Sequence, residues 1–162
     1  MKKIIILILA VLSFAACNQE SAKAPAATGP RFTLPALKGP NYEFSTKIRQ
    51  KPVLIAFMAG YCGWCKKMIP YMDQIAAKVD PSKVDVIIGF MDTDPNGLRA
   101  LEPVRNTKDI DIYYNAEPLM KEYGVTGFPT IMLFKDGKQV QTWGGYSPNH
   151  VDSILDTLKK IK

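Results

Sequence analysis

Two cysteines three positions apart, Cys62 and Cys65, enclose Gly63 and Trp64 and are the residues best suited to chemistry in this chain. Side chains at i and i+3 are neighbours on a helix surface, so the two sulfurs can close a disulfide or reopen as a dithiol. The apolar run Val53–Met58 comes just before the pair, and a helical pattern follows it. A strand that leads into a helix in this way places the first sulfur at the positive helix end. The spacing therefore predicts thiol–disulfide exchange.

The two cysteines are predicted to have different roles. Exchange proceeds by attack of a thiolate through a mixed disulfide. Cys62, at the helix N-terminus, is the predicted nucleophile, because the helix end stabilises its negative charge and lowers its pKa. Cys65, one turn deeper, is predicted to resolve the mixed disulfide, while Gly63 and Trp64 set strain and access at the turn. The alternative is a structural pair with no redox role.

Other kinds of site receive less support from the sequence. Zinc needs four ligands, and Cys62, Cys65 and His150 are the obvious candidates. Lys66 follows Cys65 where a haem attachment motif has histidine. We expect His150 to be a solvated residue in the first turn of the last helix, and we expect no metal and no cofactor.

Residues 1–16 have the pattern of a bacterial signal peptide, with Lys2-Lys3 followed by the apolar run Ile4–Leu12 and small residues. The apolar stretch ends at Cys17 and is shorter than the ~20 residues that a membrane-spanning helix needs. A retained membrane anchor is the alternative. Ala15-Ala16-Cys17 resembles the lipobox of bacterial lipoproteins, which implies lipidation of Cys17. Ordinary signal-peptidase cleavage, with Cys17 lost or left as a spare thiol, is the other possibility.

After Cys17, an Ala- and Pro-rich polar stretch predicts a flexible tether over residues 17–30, and the folded domain is predicted to span residues 31–162. The protein would then face the periplasm of a bacterial cell envelope, anchored to a membrane by lipid. The net charge is +6, and +4 without Lys2 and Lys3. This excess is far from the basic stripe of a nucleic-acid-binding protein. If Cys17 carries lipid, Cys62 and Cys65 are the remaining cysteines.

The apolar periodicity of residues 31–162 predicts alternating strands and helices. Pro70 is expected to kink the helix that follows the cysteine pair, and Asp136-Gly137 is a hairpin turn signal. We predict strands at 53–58, 84–91, 109–113, 130–134 and 139–143. We predict helices at about 63–79, from Asp94 with an interruption at Pro103, from an Asn115 cap to Tyr123, and from Ser147-Pro148 to the C-terminus.

This order, with the cysteine pair at a strand–helix junction, resembles the thioredoxin fold. The likeness rests on the run Phe57–Lys66, on Pro70, on the segment Gly124–Thr130 and on Gly144-Gly145. It implies an α/β fold with a central mixed β-sheet flanked by helices on both faces. The leading segment Phe32–Leu34 and the region between Met91 and Ala116 are similar to the TlpA-like branch, which contains membrane-tethered envelope reductases.

The resemblance also implies roles for residues around the cysteines. Pro129 should be cis and lie against the cysteine loop, leaving nearby backbone free to pair with an extended substrate. Phe128 is expected either to contact substrate or to pack in the core. Tyr61, Trp64 and Phe128 could form an apolar rim that receives cysteine-containing envelope proteins.

Two departures from the family leave the direction of electron flow open. Ala56 and Met68 stand where related proteins carry an acid that moves the proton of the second cysteine. Reduction is the expected direction by resemblance, with a membrane or periplasmic thiol redox partner. A dithiol oxidase or isomerase, or a non-catalytic binding module or metal carrier, are the alternatives.

Overall fold

The computed structural model describes residues 30–161. The predicted signal peptide, Cys17 and all of the predicted tether except Pro30 lie outside these residues. Within residues 30–161, no helix is both long enough and apolar enough to cross a bilayer.

Strands and helices alternate along the described chain, as the sequence pattern predicts. The elements are β1 (Thr33–Leu34), β2 (Tyr42–Glu43), α1 (Phe44–Gln50), β3 (Val53–Met58), α2 (Gly63–Lys78), β4 (Asp85–Phe90), α3 (Pro95–Ala100), α4 (Glu102–Arg105), β5 (Asp111–Tyr113), α5 (Glu117–Glu122), β6 (Thr130–Lys135), β7 (Lys138–Gly144) and α6 (His150–Lys160).

A mixed five-stranded sheet in the order β5-β4-β3-β6-β7 organises the domain. Strands β3, β4 and β5 run parallel, whereas β6 is antiparallel to β3 and β7 is antiparallel to β6. Strands β1 and β2 form a separate two-stranded antiparallel sheet. In the β6–β7 turn, Asp136 and Gly137 both have positive φ. This conformation matches the twist of a tight hairpin and confirms the predicted turn.

Strand β3 is buried along its whole length because both faces of the sheet are covered. Alternate side chains point to opposite faces. Leu54, Ala56 and Met58 pack with residues of α2 and α6, while Ile55 and Phe57 pack with residues of α1 and α5. The predicted α/β fold with helices on both faces of a mixed sheet is confirmed.

Four details differ from the predictions. The helical segment after Asp94 breaks at Leu101 and not at Pro103, because Pro103 lies in the first turn of α4, where its missing N–H costs no helical hydrogen bond. Asn115 does not cap a helix, because its φ of 55° is left-handed and α5 begins two residues later. The last helix begins at His150 rather than at Ser147-Pro148, since the amides of His150 and Val151 close turns onto residues 147 and 148. Helix α1 was not predicted; it is seven residues long and buries Phe44 and Ile48.

Candidate active site

Cys62 and Cys65 lie at the start of α2 and are joined as a disulfide, with their Cα atoms 5.2 Å apart. Cys62 is half-buried and packs at the margin of the core, whereas Cys65 is fully buried. A partner molecule can therefore reach the first sulfur and not the second.

Cys62 is also the N-cap residue of α2. Its Sγ accepts a hydrogen bond from the Cys65 backbone N–H, with an N···S distance of 3.1 Å. Unpaired N–H groups and the helix dipole give this end of the helix a partial positive charge. Negative charge on the Cys62 sulfur is stabilised by that arrangement.

The surroundings of Cys65 are apolar. Ala56 and Met68 are fully buried in the same core cluster as Cys65. Among residues 30–161, no polar or charged side chain is buried to that degree. The described core therefore places no carboxylic acid beside Cys65, in keeping with the residues found at positions 56 and 68.

A carboxylate for which the sequence predicted no role at this site holds the loop before the cysteines. Asp92 Oδ2 accepts a hydrogen bond of 2.8 Å from the Gly60 N–H, and the Asp92 carbonyl accepts one of 2.8 Å from Asn115 N–H. The strand register explains this contact. Met58 of β3 pairs with Phe90 of the parallel β4. Gly60 and Asp92 follow these paired residues by two positions, so they lie next to each other just beyond the ends of the two strands.

The strand register also brings the proline loop to this end of the sheet. Phe57 pairs with Thr130 of the antiparallel β6, and Thr130 pairs with Gly144 of β7. The segments after β3, before β6 and after β7 therefore meet. The Gly145 N–H donates a hydrogen bond of 2.8 Å to the Pro129 carbonyl, which ties two of these segments together.

The Phe128–Pro129 peptide bond is cis, as predicted. Pro129 is buried, and the half-buried Phe128 packs against the clusters on both faces of the sheet. Within residues 30–161, neither the N–H nor the carbonyl of Phe128 forms a hydrogen bond. The backbone N–H and carbonyl of Phe128 are thus free to hydrogen-bond with another chain, while its ring packs against the core.

Two exposed aromatic side chains belong to the same loop as the half-buried Cys62. Tyr61 is 76% exposed and Trp64 is 56% exposed. The Trp64 ring stacks on the Tyr146 ring, with centroids 5.5 Å apart and planes 22° apart. The Tyr71 ring also contacts Tyr146, with a centroid distance of 6.0 Å. The hydrogen bond shared with Tyr71 raises the pKa of Tyr146. Tyr146 was missed by the sequence predictions because it lies 81 positions beyond Cys65, in the loop after β7.

Lys67 contacts one of these aromatic rings, and His150 lies near the end of β7. Lys67 Nζ is 4.4 Å from the centroid of the Trp64 ring, a cation–π contact. His150 is in the first turn of α6, and its Nε2 is 3.4 Å from the Gly144 carbonyl oxygen. In the described part of the chain, no group of three or more His, Cys, Asp or Glu residues is arranged to hold a metal ion.

Comparison with known proteins assigns the family. Residues 45–159 match the family described as Thioredoxin-like domain. The chain belongs to this family. The thioredoxin of Rickettsia felis is 33% identical over 109 residues, which cover 67% of this chain and 80% of that protein. The predicted membership of the thioredoxin family is therefore confirmed.

Solved structures share the thioredoxin-like fold at lower identity. The exposed lipoprotein thioredoxin of Streptococcus pneumoniae superposes with a TM-score of 0.64 at 24% identity, covering 82% of this chain and 100% of that one. A secreted disulfide oxidoreductase of Mycobacterium tuberculosis gives a TM-score of 0.63 at 18% identity, covering 80% and 96%. Family membership and the cysteine pair together make this thioredoxin-like protein a thiol–disulfide oxidoreductase.

Proposed function

We propose that this protein is a lipid-tethered thiol–disulfide reductase of the bacterial cell envelope. Cys62 is the attacking thiolate and Cys65 the resolving thiol. The observation that carries the proposal is the asymmetry of the two sulfurs. Cys62 is accessible and accepts the Cys65 amide hydrogen bond, whereas Cys65 is fully buried.

The proposed reaction transfers two electrons to a substrate disulfide. The Cys62 thiolate attacks one substrate sulfur, forms a mixed disulfide and releases the other substrate sulfur as a thiolate that takes up a proton. Cys65 then loses its proton and attacks the Cys62 sulfur, which releases the second substrate thiol. The products are a substrate dithiol and the Cys62–Cys65 disulfide, which a dithiol redox partner in the membrane or periplasm must reduce again.

Substrate would bind across the end of the sheet where the loops meet. Phe128 offers an unpaired N–H and carbonyl beside Pro129, so an extended segment could add to it as a strand does. Tyr61 and Trp64 offer exposed aromatic surface next to Cys62. Cysteine-containing proteins of the envelope are the proposed substrates.

The envelope location is proposed from the sequence before residue 31. Residues 1–16 would be removed, Cys17 would carry lipid, and residues 17–30 would link it to the domain at 31–162. The names of two proteins that share the fold, an exposed lipoprotein and a secreted oxidoreductase, support this location. Mass spectrometry of the N-terminal peptide tests it: a mature chain that begins at Cys17 with added acyl mass supports the tether, and an unmodified Cys17 contradicts it.

The redox potential of the cysteine pair tests the direction. At equilibrium with glutathione, a reductase resembling thioredoxin should have a potential of about −270 mV, whereas a strong oxidase has about −120 mV and an isomerase about −180 mV. We expect a value close to that of thioredoxin. A value above about −200 mV would reject the reductase in favour of the oxidase or isomerase alternative.

A further inference from the structure

A cavity lies away from the cysteine pair, between the loop after β1, the α3–α4 segment and the edge strand β5. Its volume is about 660 Å³. Leu37, Val104, Ile110 and Ile112 give it an apolar floor. No residue of the cysteine or cis-proline segments lines it.

The rim of this cavity is cationic. Lys38, Arg99, Arg105 and Lys108 line it, against one carboxylate, that of Asp111. None of the four cations forms an ion pair with any carboxylate in residues 30–161. The lining therefore carries four cationic side chains against one carboxylate, a local excess of positive charge.

Hydrogen bonds hold the walls in place. The Asp73 carboxylate of α2 accepts backbone N–H bonds from residues 108, 109 and 110, at distances of 2.8 to 3.2 Å. The Arg99 guanidinium donates to the Leu37 carbonyl at 2.7 Å, and the Leu37 N–H donates to the Ile112 carbonyl at 2.8 Å. Ligand cavities are usually formed in advance in this way, lined by apolar surface with a few placed polar groups.

We propose that this cavity binds an amphiphilic phosphate, a molecule with a phosphate head on a compact apolar body. The volume is within the range of about 300–1,000 Å³ that is common for ligand pockets. An arginine guanidinium can donate two parallel hydrogen bonds to two oxygens of one phosphate, and a lysine ammonium adds a positive point charge. The apolar body would cover the floor. This inference is independent of the redox function proposed above.

Isothermal titration with octyl phosphate, below its micelle concentration, tests the proposal. The protein is the full chain carrying Cys17→Ser, so that no acyl chain at residue 17 competes for the cavity. The double variant Arg105→Gln/Lys108→Gln should bind at least about tenfold more weakly, because two charge-assisted contacts are removed. The matched control Lys138→Gln/Lys160→Gln loses the same charge at exposed sites outside the cavity and should bind like the parent.

Several results would overturn the proposal. They are equal affinity for the uncharged octyl glucoside, no binding of octyl phosphate, or equal weakening in the control variant. If the double variant does not fold, ¹⁵N NMR of the parent protein decides the matter: amide shifts on titration must centre on the cavity segments around Leu37 and Ile112, and shifts elsewhere contradict the site.

A second titration with monomeric dihexanoyl phosphatidylglycerol distinguishes the ligand's source. Tighter binding of this lipid assigns the cavity to lipid headgroups, and tighter binding of octyl phosphate assigns it to a soluble phosphate.

Discussion

A methyl group added at Gly60 should disturb the loop that leads to Cys62. A Cβ at this position would lie 2.8 Å from Asp92 Oδ1 and 3.3 Å from Asp92 Cγ. Asp92 would have to move, and its hydrogen bond to the Gly60 N–H would be lost. A hydrogen bond to a charged group contributes about 1.5–3 kcal/mol, so Gly60→Ala should lower the free energy of unfolding by about 2 kcal/mol.

A double-mutant cycle isolates the contact. Asp92→Ala removes both the obstacle and the hydrogen-bond acceptor. In that background, Gly60→Ala should lower the free energy of unfolding by less than about 0.5 kcal/mol, which gives a coupling energy of about 1.5 kcal/mol. Urea denaturation of the parent, the two single variants and the double variant measures it. Gly144→Ala is the matched control, because nothing lies within 4 Å of the position its Cβ would take. If the losses in unfolding free energy of the two single variants add to within about 0.5 kcal/mol in the double variant, position 60 and Asp92 are not coupled and the prediction is wrong.

Three further predictions concern other contacts. Asp73→Ala should lower the free energy of unfolding by about 1.5–3 kcal/mol, because one carboxylate holds three backbone N–H groups; a urea midpoint equal to that of the parent would contradict this. Tyr146→Ala should remove the ring that stacks on Trp64 and therefore raise the KM for insulin in an insulin-reduction assay. Tyr146→Phe keeps the ring and should leave this KM unchanged. Equal KM values for the two variants would reject a binding role for the stack. Burial raises the pKa of Tyr113 to about 12, and burial with the Asp85 hydrogen bond raises the pKa of Tyr42. Both shifts are upward, so the stability they contribute is present below pH ~10 and is lost as the pH rises toward 12, by at most about 1.4 kcal/mol per pH unit for each tyrosine. In urea denaturation at pH 9 to 12, the free energy of unfolding of Tyr42→Phe should fall less steeply with pH than that of the parent. An identical pH dependence of the two proteins would contradict the prediction.

The sequence predicted the sheet and the cysteine helix because their signals are local. Strand β3 is an unbroken apolar run, α2 has apolar residues at helical spacing, and Asp136-Gly137 is a turn signal in itself. The cis-proline loop was found by resemblance, since nothing in residues 124–130 alone specifies a cis bond beyond the presence of Pro129.

The contacts that were missed depend on strand register and on distant loops. Asp92 lies opposite Gly60 because β3 and β4 pair with Met58 beside Phe90, a register that apolar periodicity does not specify. Tyr146 reaches Trp64 because β7 ends at the same edge as β3. Asn115 looked like a helix cap by residue type, and its left-handed backbone was not visible in the sequence.

Trapping of the mixed disulfide shows directly which of the two cysteines attacks the substrate. Insulin is mixed with reduced Cys65→Ser protein and, separately, with Cys62→Ser protein, and the products are mapped by mass spectrometry. We expect a stable mixed disulfide on Cys62 in the Cys65→Ser protein and little or none on Cys65 in the other variant, because Cys65 is fully buried. A mixed disulfide formed equally well through Cys65, or none through Cys62, would contradict the assignment of Cys62 as the nucleophile.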